Sequence, residues 1–494
     1  MTSTRGGPGL QGQATVAYEP AIYQLDDAPE RGRRVTLTGR GGRDHDASVV
    51  GMTTSKRLGG TGAWTLRVKR PADAPDLAED IHDDDWADVV VNVNGKRTHL
   101  MRGLVRNVGV EEATREATTR TYVISGEDHQ SIFDRTKLWF NQAIGQFGAE
   151  AMNELFRVGT VAAPEILVPK LLRGFLRLQT GEDVGQTAGY LWVPPMSAPG
   201  PRNHEQALLI NTRDVQKDPV RACMRTMIGD PNDIGLWDFA SQYAEPGISE
   251  FFTDLVDAQG NQLHPDGEWT PENTRMGVIF RGVPFPRLAT TTTATTRTGN
   301  LSDYFVKIPL TTVQPQEIAA SNIGRGGLER VNAIFVGDDL IESDTSRALQ
   351  PPLWNPRDIG FHGFKPISVQ SKYNVLATDN VEDGRMFEMR WQTMCWNALN
   401  HRLYNGTMHL GHLRPDIRVG TRILVPGRSV DDQRTFYVET VDHSMNPNHN
   451  VTTLGVTRGW VGTDDAYLRE LREVVDQWEF LPGYANPPLK MRYQ

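Results

Sequence analysis

The residues whose types could support chemistry are few and widely spaced. His443 and His449 lie six positions apart in TFYVETVDHSMNPNHNVTTLGVTRGW. Imidazoles bind zinc, but zinc needs further ligands, and neither a cysteine nor a compact His/Glu cluster is nearby. The stretch instead alternates like a strand, with Leu454, Val456 and Trp460 on one face. It predicts two strands with a turn between them, and we expect both histidines to be structural or solvent-exposed.

Several other patterns are incomplete versions of known sites. The acidic run EDIHDDD (79–85) lacks the spaced oxygens and the glycine of a calcium-binding loop. HEQAL lacks the second histidine of a zinc-protease helix, and GISEF and GRSVD each lack the last glycine of a nucleophile elbow. No glycine-rich phosphate loop occurs, and 61 Asp and Glu residues single out no hydrolase pair. We therefore predict no catalytic residues, no cofactor and no metal.

Length and composition limit the class of protein. A chain of 494 residues is too long for one core, and 38% hydrophobic with 23% charged residues is typical of globular domains. No apolar run approaches the length of a membrane span, and the N-terminus lacks a secretory signal. Two cysteines, Cys223 and Cys395, fit synthesis in a reducing cytosol. A net charge of −9 argues against a general nucleic-acid binder.

Strand periodicity dominates the first part of the chain. WTLRVKR places Trp64, Leu66 and Val68 on one face. Asn94-Gly95 lies between two apolar runs, which is a strong hairpin signal. RTYVISGED (120–128) predicts one more strand. Together these patterns predict a small antiparallel barrel or sandwich.

Later segments change period. Helical spacing follows residue 137, and TTTATTRTG (291–299) predicts a mobile polar loop. The strand pattern returns after PPLWNPRD, and a short terminal helix presents an apolar stripe formed by Leu468, Leu471, Val475 and Trp478. RTYVISGEDH (120–129) and RTFYVETVDH (434–443) are similar, which is consistent with either a duplicated barrel or coincidence.

The predicted fold class is α+β, mainly β, with two small antiparallel tube-like β-barrels and a helical insert and a mixed α/β region between them. The predicted segments are an N-terminal extended arm (1–28), a first β-barrel domain (29–136), a helical insert (137–245), a mixed β region (246–355), a second β-barrel domain (356–462), and a terminal helix with an extended tail (463–494).

The order of several motifs resembles one protein family. MGVIFRGVPFP, IGRGGLERVNAIFV, GFHGFKPI, NHRLYNGTMHL and DIRVGTRILVPG precede the histidine-containing stretch. This order resembles the baseplate or tail-tip hub proteins of tailed phages and related contractile injection machines (late-control-D-like proteins). The most specific portions are 281–285, 404–406, 436–443, 453–454 and 457–459. The resemblance covers most of residues 30–460, but residues 137–232 match no pattern of the family.

The resemblance implies a structural, non-enzymatic homotrimer with two tube-like barrels per subunit. Six barrels in a ring match a hexameric tail tube on one side and a trimeric central spike on the other. Implied partners are a tail tube or tube-initiator protein, a spike, and further candidates among wedge and tape-measure proteins. Because few residues follow the second β region, we expect the spike to be a separate protein. The implied location is the virion baseplate, after synthesis in the host bacterial cytoplasm, with DNA passing through the lumen without specific binding.

The C-terminal tail is predicted to bind a partner, either the spike or a neighbouring subunit; wrapping back on its own domain is the alternative. Its apolar anchors are Phe480, Leu481, Tyr484, Leu489, Met491 and Tyr493. Two rival functions stay open at this point. One is a tail-associated cell-wall hydrolase or carbohydrate-binding module, which peptidoglycan zymography would reveal. The other is a tube or wedge protein, although tube proteins are usually short.

Overall fold

The computed structural model shows a mainly β protein. It describes residues 16–24, 33–35, 48–72, 74, 76–111, 119–135, 172, 208–211, 235–241, 244, 247–285, 287–293, 296–302, 308–326, 329–338, 352–371, 392–446 and 449–480.

The strands are β1 (Val16–Tyr18), β2 (Ala21–Gln24), β3 (Arg33–Val35), β4 (Ser48–Arg57), β5 (Ala63–Pro71), β6 (Trp86–Val93), β7 (Lys96–Glu111), β8 (Thr119–Asp128), β9 (Leu208–Asn211), β10 (Ser249–Val256), β11 (Arg275–Gly282), β12 (Arg287–Thr293), β13 (Thr296–Ser302), β14 (Leu310–Thr312), β15 (Ile318–Gly324), β16 (Ala333–Asp338), β17 (Leu353–Trp354), β18 (Pro366–Ser371), β19 (Tyr404–Leu410), β20 (Arg422–Val425), β21 (Arg434–Asn446), β22 (His449–Val461) and β23 (Glu479–Phe480). The helices are α1 (Leu77–Asp80), α2 (Ser131–Arg135), α3 (Leu236–Ser241), α4 (Pro356–His362) and α5 (Asp464–Val475). Residues 392–398 are also helical.

One sheet of 14 strands joins the two ends of the chain. Its main path is β15-β19-β22-β21-β4-β5-β8-β7-β6-β2-β3. We call β4–β8 the N-terminal β region and β19–β22 the C-terminal β region. They meet where β4 pairs with β21 in an antiparallel register from Thr440↔Arg57 to Met445↔Met52. The mainly β prediction is confirmed, whereas closure of either region into a barrel stays a prediction.

The predicted Asn94-Gly95 hairpin is confirmed in the N-terminal β region. Asn94 and Gly95 both have positive φ, 54° and 87°, and they connect β6 to β7. Two successive positive φ angles give the turn that matches the twist of a tight hairpin. The predicted alternation is also confirmed, because Trp64, Leu66 and Val68 are at most 1% exposed. These side chains pack into an apolar core with residues of β6, β7 and β8.

The histidine-containing stretch forms the predicted hairpin. Its strands, β21 and β22, pair antiparallel from Arg434↔Val461 to Asn446↔His449. Leu454 and Val456 are buried, and Trp460 is 4% exposed. Leu454 and Val456 belong to a second apolar core, while Trp460 packs in a third core with α5 and helical residues near 394–399. The alternation of apolar residues therefore predicted the inward face of β22 correctly.

Three smaller sheets complete the described fold. Their strand orders are β10-β11-β9, β12-β13 and β18-β16-β17-β23. The prediction of a loop at 291–299 is wrong, because β12 and β13 pair from Arg287↔Ser302 to Thr293↔Thr296. Threonine favours extended backbone, so a run without apolar residues still forms a ribbon. The predicted terminal helix is confirmed as α5, with Leu468, Leu471 and Val475 buried.

The remaining predicted segments are described only in part. Within the predicted arm, β1 and β2 both pair with β6. Within the predicted insert, β9 pairs in parallel with β11, α3 spans Leu236–Ser241, and most other residues lie outside the described part. No helix of the described part is long and apolar enough to cross a membrane.

Candidate functional site

His443 and His449 occupy different environments in the hairpin. His443 is 5% exposed on β21, and its Nδ1 lies 3.0 Å from the Thr452 hydroxyl. Burial, assisted by the charge of Arg418, lowers the pKa of His443 to about 4. His449 is exposed at the start of β22, and its partner across the hairpin is Asn446. Among the described residues, no three His, Cys, Asp or Glu side chains are grouped so that they could hold a metal.

The acidic run at 79–85 is held by local hydrogen bonds and arginines. Asp85 is buried, and its Oδ2 accepts a hydrogen bond of 2.8 Å from the His82 amide. Asp84 is paired with Arg106 and Arg135. These carboxylates therefore fix a loop against β7 and α2, and their oxygens do not converge on one point.

Buried charged groups converge where the two β regions meet β10. Lys56 on β4 forms an ion pair with Asp128 at the end of β8. The Lys56 ammonium also donates to Thr253 Oγ1 on β10 at 2.7 Å. The Asp128 carboxylate accepts a further hydrogen bond of 3.1 Å from the Gln130 amide. One ion pair thus connects strands β4 and β8 to β10, and we call the set of polar contacts here the polar junction.

A second ion pair extends the polar junction to the C-terminal half. Arg418 Nη1 donates to Asp254 Oδ1 at 2.7 Å, and each residue is 7% exposed. The same guanidinium donates to the backbone carbonyl of His99 on β7. Arg418 therefore links the segment before β20 to both β10 and the N-terminal β region. Removal of one partner from such a buried pair leaves an uncompensated charge, which is strongly destabilising.

A third group lies deeper in the N-terminal β region. Arg102 forms a bidentate pair with Asp88, with distances of 2.5 and 2.8 Å. His99 Nε2 lies 3.2 Å from Asp88 Oδ1, and its Nδ1 lies 2.7 Å from the Thr274 hydroxyl. Burial alone would raise the pKa of Asp88, but Arg102 and His99 hold it below its usual value. Burial lowers the pKa of His99, and the Asp88 carboxylate opposes this shift.

A small cavity lies inside the polar junction. Its volume is about 40 Å³, and its lining includes Lys56, Asp128, His129, Asp254 and His443. The two similar sequences, 120–129 and 434–443, therefore both end at this cavity. Burial lowers the pKa of His129, whose Nε2 lies 3.1 Å from the Gly277 carbonyl. This volume admits water or a similarly small molecule, but not a sugar or a peptide.

The segment 281–285, prominent in the family resemblance, anchors β11 to the C-terminal β region. Arg281 lies between Glu250 and the Gly420 carbonyl, with nitrogen–oxygen distances of 2.5 and 2.6 Å. The Tyr437 hydroxyl donates to the other oxygen of Glu250 at 2.6 Å. Burial raises the pKa of Tyr437, and the Glu250 carboxylate raises it further. The arrangement keeps the tyrosine protonated as a hydrogen-bond donor, so it stabilises structure and does not supply a base.

The segments 404–406 and 457–459 form another buried anchor. The Arg458 guanidinium lies 3.5 Å from the Trp396 ring centroid and donates to the Asn400 side chain at 2.9 Å. The backbone of Arg458 has a φ angle of 50°, in the left-handed region. Gly406 has φ 154°, and a Cβ there would lie 2.0 Å from the Asn322 carbonyl oxygen on β15. The close approach of β15 therefore explains why glycine stands at position 406.

Five of the six predicted partner-binding residues, from Leu481 to Tyr493, lie outside the described residues. Phe480 lies in β23, which pairs with β17. The same small sheet carries exposed Phe335, and two more exposed phenylalanines, Phe361 and Phe364, lie between β17 and β18. This surface is the clearest apolar contact area next to the predicted tail.

The sequence reading missed the polar junction. Asp128 lies on the buried face of β8, in alternation with Tyr122 and Ile124, and Asp88 lies within the apolar run of β6. A charged residue at an inward position was the available signal, because it must be paired when buried. Its partners, Lys56 and Arg102, could not be identified from periodicity alone.

No protein-family model matches the sequence, and no curated protein matches it. Solved structures with a similar arrangement include a tail protein from Neisseria meningitidis, with 10% identity, 89% of this chain and 96% of that chain covered, and a TM-score of 0.46. A 43 kDa prophage tail protein from Shewanella oneidensis gives 10% identity, coverage of 90% and 98%, and a TM-score of 0.44. An E. coli component of the type VI secretion system gives 9% identity, coverage of 86% and 77%, and a TM-score of 0.39.

These structural neighbours are thus tail proteins of phages or prophages and a component of an injection system. Similarity at this level does not establish a family or a function for this chain.

Proposed function

We propose that the protein is the structural hub of a phage tail baseplate. In this proposal it is a homotrimer with pseudo-sixfold symmetry that joins a hexameric tail tube to a separate trimeric spike. DNA passes through its lumen, and the chain has no catalytic role.

The observation that carries the proposal is the edge-to-edge fusion of two β regions by β4 and β21. Each region has its own apolar core, one around Leu66 and one around Leu454. The polar junction joins the two regions through Arg418, which precedes β20 and donates to Asp254 on β10 and to the His99 carbonyl on β7. A trimer whose subunits each hold two β regions in a fixed arrangement presents six β regions to a hexameric tube.

Among the described strands β15 pairs with β19 alone, and its other edge supports assembly through strand pairing. β15 is the last strand at one end of the main sheet path, and its sequence IAASNIG has no charged residue and no proline. Residues 319–322 are exposed. Soluble proteins usually protect such an edge with charges, prolines or a covering element. An unprotected edge fits a strand that pairs with a neighbouring subunit.

The charge of the chain supports a channel that does not retain DNA. Thr453, Gly455 and Thr457 are half-buried, small residues on the face of β22 opposite Leu454. With a net charge of −9, the chain lacks the excess of cations that binds phosphates through counterion release. In this proposal, the small polar face of β22 lies toward the lumen.

Light scattering on the purified chain, alone and with its tube and spike partners, tests the proposal. A trimer, alone or formed on addition of either partner, is the expected result. Monomers or hexamers alone, with both partners present, would contradict it. Peptidoglycan zymography on the same samples should show no clearing, whereas a clear band would favour a hydrolase.

The edge of β15 gives a sharper test. Ala320→Lys with Asn322→Lys places two cations on this edge, where they should repel a pairing strand and weaken the trimer by about tenfold or more. Thr53→Lys with Ser55→Lys is a matched control, because both residues are exposed on β4, which has neighbours on both sides. Equal effects of the two double variants would indicate general charge repulsion and not edge pairing.

A further inference from the structure

Three exposed phenylalanines lie on the small sheet β18-β16-β17-β23 or in the segment 361–364 that leads into β18. Phe335 on β16 is 40% exposed, Phe361 on α4 is 77% exposed, and Phe364 before β18 is 56% exposed. The rings of Phe335 and Phe364 lie 6.4 Å apart and nearly perpendicular. We call these three residues the phenylalanine patch. Clustered exposed aromatic rings usually mark a contact site, whereas single exposed apolar residues do not.

The backbone that carries the phenylalanine patch is held rigidly. Asn355 caps α4, with its Oδ1 accepting a hydrogen bond of 3.0 Å from the Asp358 amide. Asn332 donates to Asp358 Oδ2 at 3.0 Å and to the Gly363 carbonyl at 2.7 Å. Arg330 also forms an ion pair with Asp358. Because the loop is fixed before any partner arrives, little ordering entropy is lost on binding.

The C-terminal segment begins at the edge of the same sheet. β23 pairs with β17, and LPGYANPPLKMRYQ (481–494) follows it in the sequence. Leu489, Met491 and Tyr493 alternate with Lys490 and Arg492. In an extended chain this alternation gives one apolar face and one cationic face. Such a segment can place its apolar face against the phenylalanine patch while Lys490 and Arg492 stay in solvent.

The spacer between β23 and this alternating stretch favours contact with another subunit. Residues 482–488 include Pro482, Pro487 and Pro488, which favour extended backbone. Seven extended residues span roughly 22 Å at the rise of a polyproline helix. Two strand spacings, the separation of β23 from β16, amount to only about 10 Å. A spacer of this length is therefore sufficient for the anchors to reach a patch on a neighbouring subunit.

We propose that residues 481–494 of one subunit bind the phenylalanine patch of the next subunit in the ring, with Leu489, Met491 and Tyr493 against the rings. This inference rests on the proposed function, because it requires a closed oligomer. In a ring with threefold symmetry each subunit would give its tail to one neighbour and receive the tail of the other. Every patch in the ring is then covered. The partner is thus a second copy of this chain.

Photo-crosslinking tests which chain fills the patch. A photoreactive phenylalanine analogue replaces Phe361 in chains of normal isotopic composition, which are assembled with ¹⁵N-labelled chains without the analogue. Mass spectrometry should find the crosslink on peptides from 484–494, in mixed light–heavy pairs. Crosslinks confined to one chain would show that the tail binds its own subunit and would overturn the inference. So would crosslinks to another segment, or to the tube or spike protein.

Variants give an independent measurement. Phe361→Ser with Phe364→Ser and deletion of 482–494 should each weaken trimer formation by about tenfold or more, and the combined variant should lose no more than either alone. Val430→Ser is the matched control, because Val430 is 60% exposed elsewhere. The thermal midpoint of the isolated subunit should stay unchanged in all variants.

Additive losses in the combined variant would contradict the inference, as would a normal trimer without the tail. A normal trimer whose crosslinks lie elsewhere would overturn only this contact. A wild-type chain that never trimerises, even with its partners, would overturn the proposed function as well.

Discussion

Strand β8 and the first ten residues of β21 have similar sequences but connect to their surroundings in different ways. At the end of β8, Asp128 is buried and ion-paired with Lys56. At the corresponding place in β21, Asp442 is half-buried, and the following His443 makes a contact of 3.0 Å with the Thr452 hydroxyl. The N-terminal strand thus meets the polar junction through charge, and the C-terminal strand meets it through a neutral hydrogen bond. Similar sequence therefore does not imply a similar energetic role.

This difference shows how the two regions tolerate change. A buried ion pair holds its geometry strongly only while both partners are present. A neutral hydrogen bond contributes less, and its loss costs less. Single substitutions can separate the contribution of the ion pairs from that of the neutral hydrogen bond.

A charge in either apolar core should have the largest effect. Leu66 and Leu454 are both fully buried, one in each β region. Leu66→Asp and Leu454→Asp should each destabilise the protein by roughly 4 kcal/mol or more, because each buries an unpaired carboxylate. Circular dichroism and soluble yield measure the outcome. A well-folded Leu454→Asp protein would show that the inward face of β22 is assigned wrongly.

Loss of Arg281 should come next. Arg281→Met leaves Glu250 buried without its cation, which should cost about 3–5 kcal/mol in the free energy of unfolding. Chemical denaturation measures this cost. Arg67→Met is the control, because Arg67 is 57% exposed in its pair with Glu111 and should change stability by less than about 0.5 kcal/mol. Equal effects of both variants would contradict a structural role for the buried pair.

Acidification should weaken the protein through His443. Its folded pKa of about 4 is below the unfolded value, so the unfolded state binds a proton first as the pH falls. Stability should be full above about pH 6.5 and decline toward pH 4, by at most about 3 kcal/mol from this residue. The lowered pKa values of His99 and His129 act in the same direction. His443→Gln should flatten the decline, whereas an unchanged pH profile would show that His443 is already accessible.

Loss of Lys56 should cost less than loss of Arg281. Asp128 keeps a hydrogen bond from the Gln130 amide when Lys56 is removed, as Glu250 keeps one from Tyr437 when Arg281 is removed. Loss of Arg281 costs more because Arg281 also donates to the Gly420 carbonyl and to the Gln262 side chain. We therefore expect Lys56→Met to reduce the free energy of unfolding by about 1.5–3 kcal/mol. Denaturant titration measures this change in the free energy of unfolding. Lys69→Met is the control, because Lys69 is exposed on β5. A larger loss than in Arg281→Met would reverse the proposed ranking of the two sites.

Loss of the hydrogen bond between His443 and Thr452 should have the smallest effect on the free energy of unfolding. Thr452→Val removes the hydroxyl that contacts His443 Nδ1 and accepts a hydrogen bond of 2.8 Å from the Arg414 backbone amide, but it keeps the shape of the side chain. The expected cost is about 1–2 kcal/mol. Thermal unfolding of Thr452→Val and His443→Gln, alone and combined, measures whether their effects are coupled. Fully additive effects would mean that the two side chains do not interact.

Local patterns predicted the strands and hairpins well, because their information lies within one segment. The Asn94-Gly95 turn and the Leu454–Val456 alternation need no knowledge of distant residues. The pairing of β4 with β21 and the Lys56–Asp128 contact depend on residues far apart in sequence, which periodicity does not encode. The β12–β13 ribbon was missed for another reason, because the threonine-rich run 290–298 pairs through its backbone and has no apolar alternation in its sequence.

The β4–β21 seam also sets the order in which the molecule can be completed. Its paired residues are separated by roughly 380 positions, for example Arg57 and Thr440. At ribosomal speeds of about 5–20 residues per second, β4 emerges on the order of 20–80 s before its partner. Throughout that interval one side of β4 offers open backbone groups to other nascent chains. The β21–β22 hairpin therefore completes the sheet late in synthesis, and a chain truncated before it exposes the edge of β4 that pairs with β21.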